Sequence, residues 1–257
     1  RYFDHTWYQG QKRSSIRWLR DWSGDTYLHL DKGGHFMAGM VLSRNLGDAF
    51  QWAGFAPKTA AGLGAAASWA MLFEVEMRDA YFADWGFSIP DFLANTAGAS
   101  VPLMHALWPR TQVLGAKFSW WPSPLYLDHE ARAADGRPNT RYAIDDYQGM
   151  TFWLTVAVEQ TLPAQLQPRW PDWLGLAVGY RARGMHGANV KSRGPEREYP
   201  NLPSAHPEVL LSLDYDVRRL PRNSWIWEPF KQQLNWLRFP APAVRVWPDF
   251  RLYLLYL

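Results

Sequence analysis

Three pairs of polar residues sit at spacings that place both members on one helix face. Asp31 and His35 are four apart, in Asp-Lys-Gly-Gly-His. Glu76 and Asp79 are three apart. Asp91 and Asn95 are four apart. Spacings of three and four align side chains along a helix. The intervening positions are mostly apolar or small, so these faces are expected to look inward. Glu74, two before Glu76, is expected to face elsewhere.

If the faces converge, they assemble one imidazole, three further carboxylates beside that of Asp31, and an amide. Three uses are open. The set can be a buried network in which His35 lies between two carboxylates and Asn95 bridges to backbone. It can bind a hard divalent cation. It can position a general base for metal-assisted hydrolysis. The spacing lacks the doubled histidine of a zinc protease. The network reading comes first, because ion-pair networks commonly imitate active sites. No catalytic residue is assigned and no cofactor is expected, a divalent cation being the one candidate.

Other chemistry is thin. The chain has no cysteine, which excludes a disulfide scaffold, a thiolate zinc site, an iron–sulfur cluster and a cysteine nucleophile. The seven histidines are dispersed, and only His29 and His35 are near neighbours. Gly62-Leu63-Gly64 lacks a phosphate-loop lysine. Asp145-Asp146-Tyr147-Gln148-Gly149 reads as a turn first and a loop ligand second. The 27 basic and 24 acidic residues are scattered, with no stripe fit for nucleic acid.

The elements that must carry these groups fall into two halves. Residues 31–109 read as helical: Phe36, Met37, Met40 and Val41 recur at helical spacing. Ala60 to Met71 is rich in the small residues that let helices approach closely. Ser88-Ile89-Pro90-Asp91 is a helix start, with an end expected near Pro102 or Pro109. Residues 1–30 suggest a tether or short helices. Beyond residue 110, strand signals take over at Lys117–Trp121, Thr151–Val158 (where a short helix is the alternative), Leu174–Tyr180, Val209–Val217, Val244–Trp247 and Phe250–Leu257. Residues 224–237 have helical spacing. His129–Thr140 and Gly187–Pro207 look like exposed loops. The fold expected is α+β: a helical part over 1–109 packed with a strand-rich part over 110–257, in two parts or one compact domain.

Aromatic content points to an interface. The chain carries 16 Trp, 13 Phe and 12 Tyr, and several Trp adjoin charges, as in Arg17-Trp18, Asp21-Trp22, Asp84-Trp85, Arg169-Trp170 and Asp172-Trp173. Such residues suit positions with one apolar and one wet side, as at a membrane surface. The uncharged runs Thr59–Phe73 and Phe92–Trp108 fall short of the roughly 20 residues that a spanning helix needs. They are expected to be buried or to lie in one leaflet. A chain opening Arg-Tyr-Phe-Asp-His reads as processed or truncated, which is compatible with export.

Asp31-Lys32-Gly33-Gly34-His35-Phe36, then Glu76 and Asp79, then Trp85-Gly86-Phe87-Ser88-Ile89-Pro90-Asp91-Phe92-Leu93-Ala94-Asn95-Thr96-Ala97-Gly98-Ala99 resemble the YfiM-like family of predicted periplasmic lipoproteins, whose function is unknown. Lys117-Phe118-Ser119, Asp146 to Leu154, Gly179-Tyr180 and Leu211 to Asp216 extend the likeness to longer members. The helical half is also similar, more distantly, to VanZ-like membrane proteins. Ala80 departs from the pattern, where a Gly is expected. The resemblance implies an exported protein of the Gram-negative envelope, at the periplasmic face of the outer membrane, and no inherited catalytic residue. The function expected is a non-enzymatic, membrane-associated accessory or structural subunit, with the membrane surface and other envelope proteins as partners. The alternatives are a metal-assisted hydrolase of a lipid or cell-wall precursor, using Asp31, His35, Glu76, Asp79, Asp91 and Asn95, and a carrier of a lipid or small apolar ligand.

Overall fold

The computed structural model describes residues 8, 10–83, 85–127, 143–185, 204–220, 224 and 227–257. The chain forms two compact units. One comprises residues 1–109, 124–147 and 186–202; the other comprises 110–123, 148–185 and 203–257. The first is helical and the second is built on a sheet, so the fold is α+β.

The helical unit is a three-helix arrangement of α1 (Leu30–Trp52), α2 (Pro57–Asp79) and α3 (Ile89–Leu107). The residues leading into α1 hold a two-residue strand and one short 3-10 turn, Tyr27–His29. Strand β1 (Trp18–Leu19) pairs in parallel with β2 (Phe87–Ser88). Three consecutive residues, Tyr27, Leu28 and His29, then take positive φ (47°, 50° and 67°) before α1 begins. Left-handed backbone costs non-glycine residues roughly 1–2 kcal/mol each. The offset includes burial of Tyr27 and Leu28 and a ring contact of Tyr27 with Tyr147, 4.2 Å between centroids.

Pro57 opens α2, where its missing N–H costs nothing. Ser88 caps α3: its Oγ accepts from the Asp91 amide at 3.3 Å. The helix passes through Pro102 and stops only before Pro109. Small residues set the helix spacing. A Cβ on Gly39 would meet the Asn95 carbonyl oxygen at 2.5 Å, and one on Gly98 would collide with the Phe36 carbonyl. The Ser43 hydroxyl donates across to the Ala99 carbonyl at 2.8 Å, and that of Ser68 to the Gly39 carbonyl at 3.0 Å. Backbones this close are held by packing and hydroxyl bridges, the arrangement favoured between helices in membranes. No helix among the described residues is long and apolar enough to cross a membrane.

The second unit is one antiparallel meander, in sheet order β3 (Leu114–Trp120), β4 (Met150–Val156), β5 (Leu174–Arg183), β6 (His206–Tyr215), β7 (Ala241–Trp247) and β8 (Arg251–Tyr256). The run Thr151–Val158 takes the strand reading: β4 ends at Val156, and one helical turn begins only at Val158–Thr161. The helix expected over 224–237 is shorter, Trp227–Leu234. Beyond it the Phe118 amide donates to the Trp236 carbonyl and the Arg238 amide to the Phe118 carbonyl. That backbone is committed to the edge of β3, which stops the helix. The loop His129–Thr140 and nearly all of Gly187–Pro207 lie outside the described residues.

The sheet has two unlike faces. Register aligns Lys117 with Trp153, Trp153 with Gly179, Arg181 with Glu208 and Ser212 with Ala243. This face is buried, with Trp153, Ala177, Leu210, Ala243 and Tyr256 at its centre. Its charges are paired: Lys117 with Asp214 at 2.9 Å, Arg238 with Asp214 at 3.1 Å, and Arg181 with Glu208 at 3.0 Å. The opposite face aligns Leu154 with Val178, Val178 with Leu211 and Leu211 with Val244; Leu154, Val178 and Leu211 at its centre are exposed, while Met150 and Ala182 towards one end are buried.

Candidate polar centre of the helical unit

The first turn of α1 delivers Asp31 and Lys32, and its second turn delivers His35. The last two turns of α2 supply Glu76 and Asp79. The first two turns of α3 supply Asp91 and Asn95. The close approach at Gly39 and Gly98 brings these three helix segments together.

Lys32 is the hub. Its Nζ lies 2.6 Å from Asp31 Oδ2, 2.8 Å from Asp21 Oδ2 and 2.9 Å from Asp91 Oδ1. Burial pulls the ammonium down, but Asp31 and Asp91 outweigh it and hold it above its ordinary value. Beside it lies a second chain of contacts. The Asn95 amide nitrogen donates to Glu76 Oε1 at 3.0 Å, and Asn95 Oδ1 lies 3.1 Å from His35 Nδ1. His35 also approaches Glu76 Oε1 at 3.4 Å through Nδ1 and Asp91 Oδ2 at 3.9 Å through Nε2. The Ser88 amide donates to Glu76 Oε2 at 3.4 Å.

The carboxylates respond to this setting. Burial pushes Glu76 up to about 7, with Asp91 and Asp79 adding to the rise and His35 opposing it. Burial and the neighbouring Asp91 push Asp31 up to about 6 against Lys32. Burial pushes Asp79 up to about 6, resisted by a hydrogen bond donated by Tyr8. At Asp21 burial also raises, but bonds from Lys32 and Thr26 outweigh it and hold the carboxyl below its usual value.

All six residues singled out from the sequence lie in this one region, with two differences of detail. Asn95 bridges two side chains, His35 and Glu76, rather than a side chain and backbone. Glu76 is the deepest member, 1% exposed, while Asp79 lies one turn further on against Tyr8. Lys32, Asp21 and Tyr8 were not selected. Lys32 left a signal, a cation adjoining the inward-facing Asp31; Asp21 and Tyr8 lie outside any periodic pattern.

The geometry admits two chemistries. One ligand atom each from His35, Glu76 and Asp91 fall within 4.8 Å of one another, close enough for one divalent cation. Against this, Lys32 already supplies positive charge to Asp91, and a dication would sit beside that ammonium. As it stands, each strong group has a protein partner, which is how buried charge is ordinarily satisfied.

Residues 19–106 match the family model described as "Predicted periplasmic lipoprotein (DUF2279)". The match ends before the strand-rich unit, so it does not carry the likeness seen at 117–216, and nothing supports the likeness to VanZ-like proteins. No curated protein and no solved structure matches the chain. The segment that positions the polar centre is therefore similar, from residue 19 to residue 106, to a family of predicted periplasmic lipoproteins.

Proposed function

We propose that this is an exported, periplasmic envelope protein seated at a membrane, where it acts as a non-enzymatic accessory or structural subunit. The observation that carries the reading is the exposure of four Trp rings in the helical unit. Trp52 is 92% exposed, and Trp18, Trp22 and Trp108 are each more than half exposed. Trp is favoured at the lipid–water boundary. The family match supports the periplasmic side of the reading. The test is fractionation of cells expressing the native gene. Recovery in the envelope fraction with release by detergent is expected; recovery as a monodisperse species without detergent overturns it.

The proximity of His35, Glu76 and Asp91 favours a second reading, metal-assisted hydrolysis of a lipid or cell-wall precursor. Elemental analysis of the purified protein separates the two. Stoichiometric metal lost on His35→Ala, with the fold retained, would favour the hydrolase.

A further inference from the structure

The strand-rich unit is built the wrong way round for water. Antiparallel sheets with one solvated face ordinarily turn polar residues outward. Here the buried face holds Lys117, Arg181, Glu208, Asp214 and Arg245, joined in ion pairs. The outward positions carry no Asp, Glu, Lys or Arg among the described strand residues from Leu114 to Leu252, by the pairing register. Leu154, Leu176, Val178, Leu211 and Leu252 lie on that face and are 46–62% exposed. Alternation with apolar residues outward and polar residues inward is the pattern of β-structure in lipid.

Two further features select lipid over a protein partner. Aromatic residues bracket the apolar band at both strand ends. At outward register positions, Trp120 and Trp247 stand at one end and Tyr215 at the other. Protein interfaces instead carry a polar rim and hydrogen bonds spread through the contact, and the outward positions offer few donors or acceptors. The strands β5 and β6, ten residues each, reach about 33 Å at ~3.3 Å per residue, commensurate with a hydrocarbon core of about 30 Å. The sheet also curls on its polar side. Tyr256 of β8 reaches Thr151 of β4 at 3.2 Å and also accepts from Arg181 of β5, while residues 236–238 cover the β3 edge.

We infer that the convex face of the β3–β8 sheet lies against the acyl chains of a bilayer. The inference rests on the membrane seat proposed above and adds a lipid-facing surface in the strand-rich unit to the Trp rings of the helical unit. The chain has no cysteine, so single-cysteine variants report one position each. Leu176→Cys and Leu211→Cys place an environment-sensitive nitrobenzoxadiazole label on the face. Gln165→Cys, in an exposed turn of the same unit, serves as the control. The full-length protein is added from detergent to phosphatidylethanolamine–phosphatidylglycerol vesicles, with circular dichroism confirming the fold of each variant. The labels at 176 and 211 should shift to the blue and be quenched severalfold more than that at 165 by lipids spin-labelled on the acyl chain. Co-flotation with vesicles and no chain-specific quenching at either position would overturn this inference and leave the membrane seat standing. So would shielding that depends on protein concentration instead of lipid, which would point to a second copy on the face. Failure to co-float would overturn both.

Discussion

Lys32 concentrates the electrostatics of the helical unit in one ammonium, shared by Asp21, Asp31 and Asp91. Removing it leaves buried carboxylates without their cation. Lys32→Met should cost about 3–5 kcal/mol, the range for breaking a buried charge pair, read as a shift in the denaturation midpoint with an unchanged slope. The carboxylates make a second prediction. Glu76 titrates at about 7 in the fold against an ordinary 4.5, and Asp31 and Asp79 at about 6 against 3.8. Between those values the folded chain binds more protons than the unfolded one, so stability falls as pH rises through the window. The thermal midpoint should decline from pH 5 to pH 8, and Glu76→Gln should flatten the upper part of the decline. A midpoint that rises over this range would contradict the assignment. The site was legible in the sequence as far as helical spacing reaches: Asp31 with His35 and Asp91 with Asn95 each declare a face. Lys32 was missed because its role depends on three partners, and Asp21 reaches it from outside the helices.

At the scale of elements, glycine placement governs how closely the helices pack. Gly98 passes the Phe36 carbonyl with no room for a side chain, and Gly64 does the same against the Ser43 carbonyl and the Gly47 backbone. Gly62, on the same helix as Gly64, has its nearest neighbour, a Leu103 methyl carbon, at 4.0 Å. Gly98→Ala should therefore force α1 from α3 and lower the melting temperature sharply, with overpacking costing about 1–3 kcal/mol or more. Gly62→Ala should be neutral or stabilise by roughly 0.5–1 kcal/mol through helix propensity. Equal gains in both variants would show that propensity, not proximity, governs. The start of α3 was readable because Ser88 acts locally. The end of the helix at Leu234 was not. Periodicity continued through Leu237, but the backbone there bonds to Phe118, more than a hundred residues away in sequence.

For the whole molecule the expected outcome is retention in the envelope fraction and a need for detergent to stay dispersed. Substituting Trp18, Trp22 and Trp52 together by Ser should reduce vesicle co-flotation without lowering the melting temperature, since these rings are exposed and contribute little to the core. By itself the sequence determined the division into helices and strands, because caps, prolines and the periods of 3.6 and 2 are local properties of the chain. It determined the helix faces of the polar groups for the same reason. Only the tertiary structure decided which side of each strand is inside. An alternating segment such as Leu211-Ser212-Leu213-Asp214 has the same period whichever face is buried. Polarity alone would bury Leu211. The fold buries Ser212 and Asp214 instead, because Lys117 and Arg238, brought from distant segments, meet Asp214 on the concave side, and paired charges can be buried where isolated ones cannot.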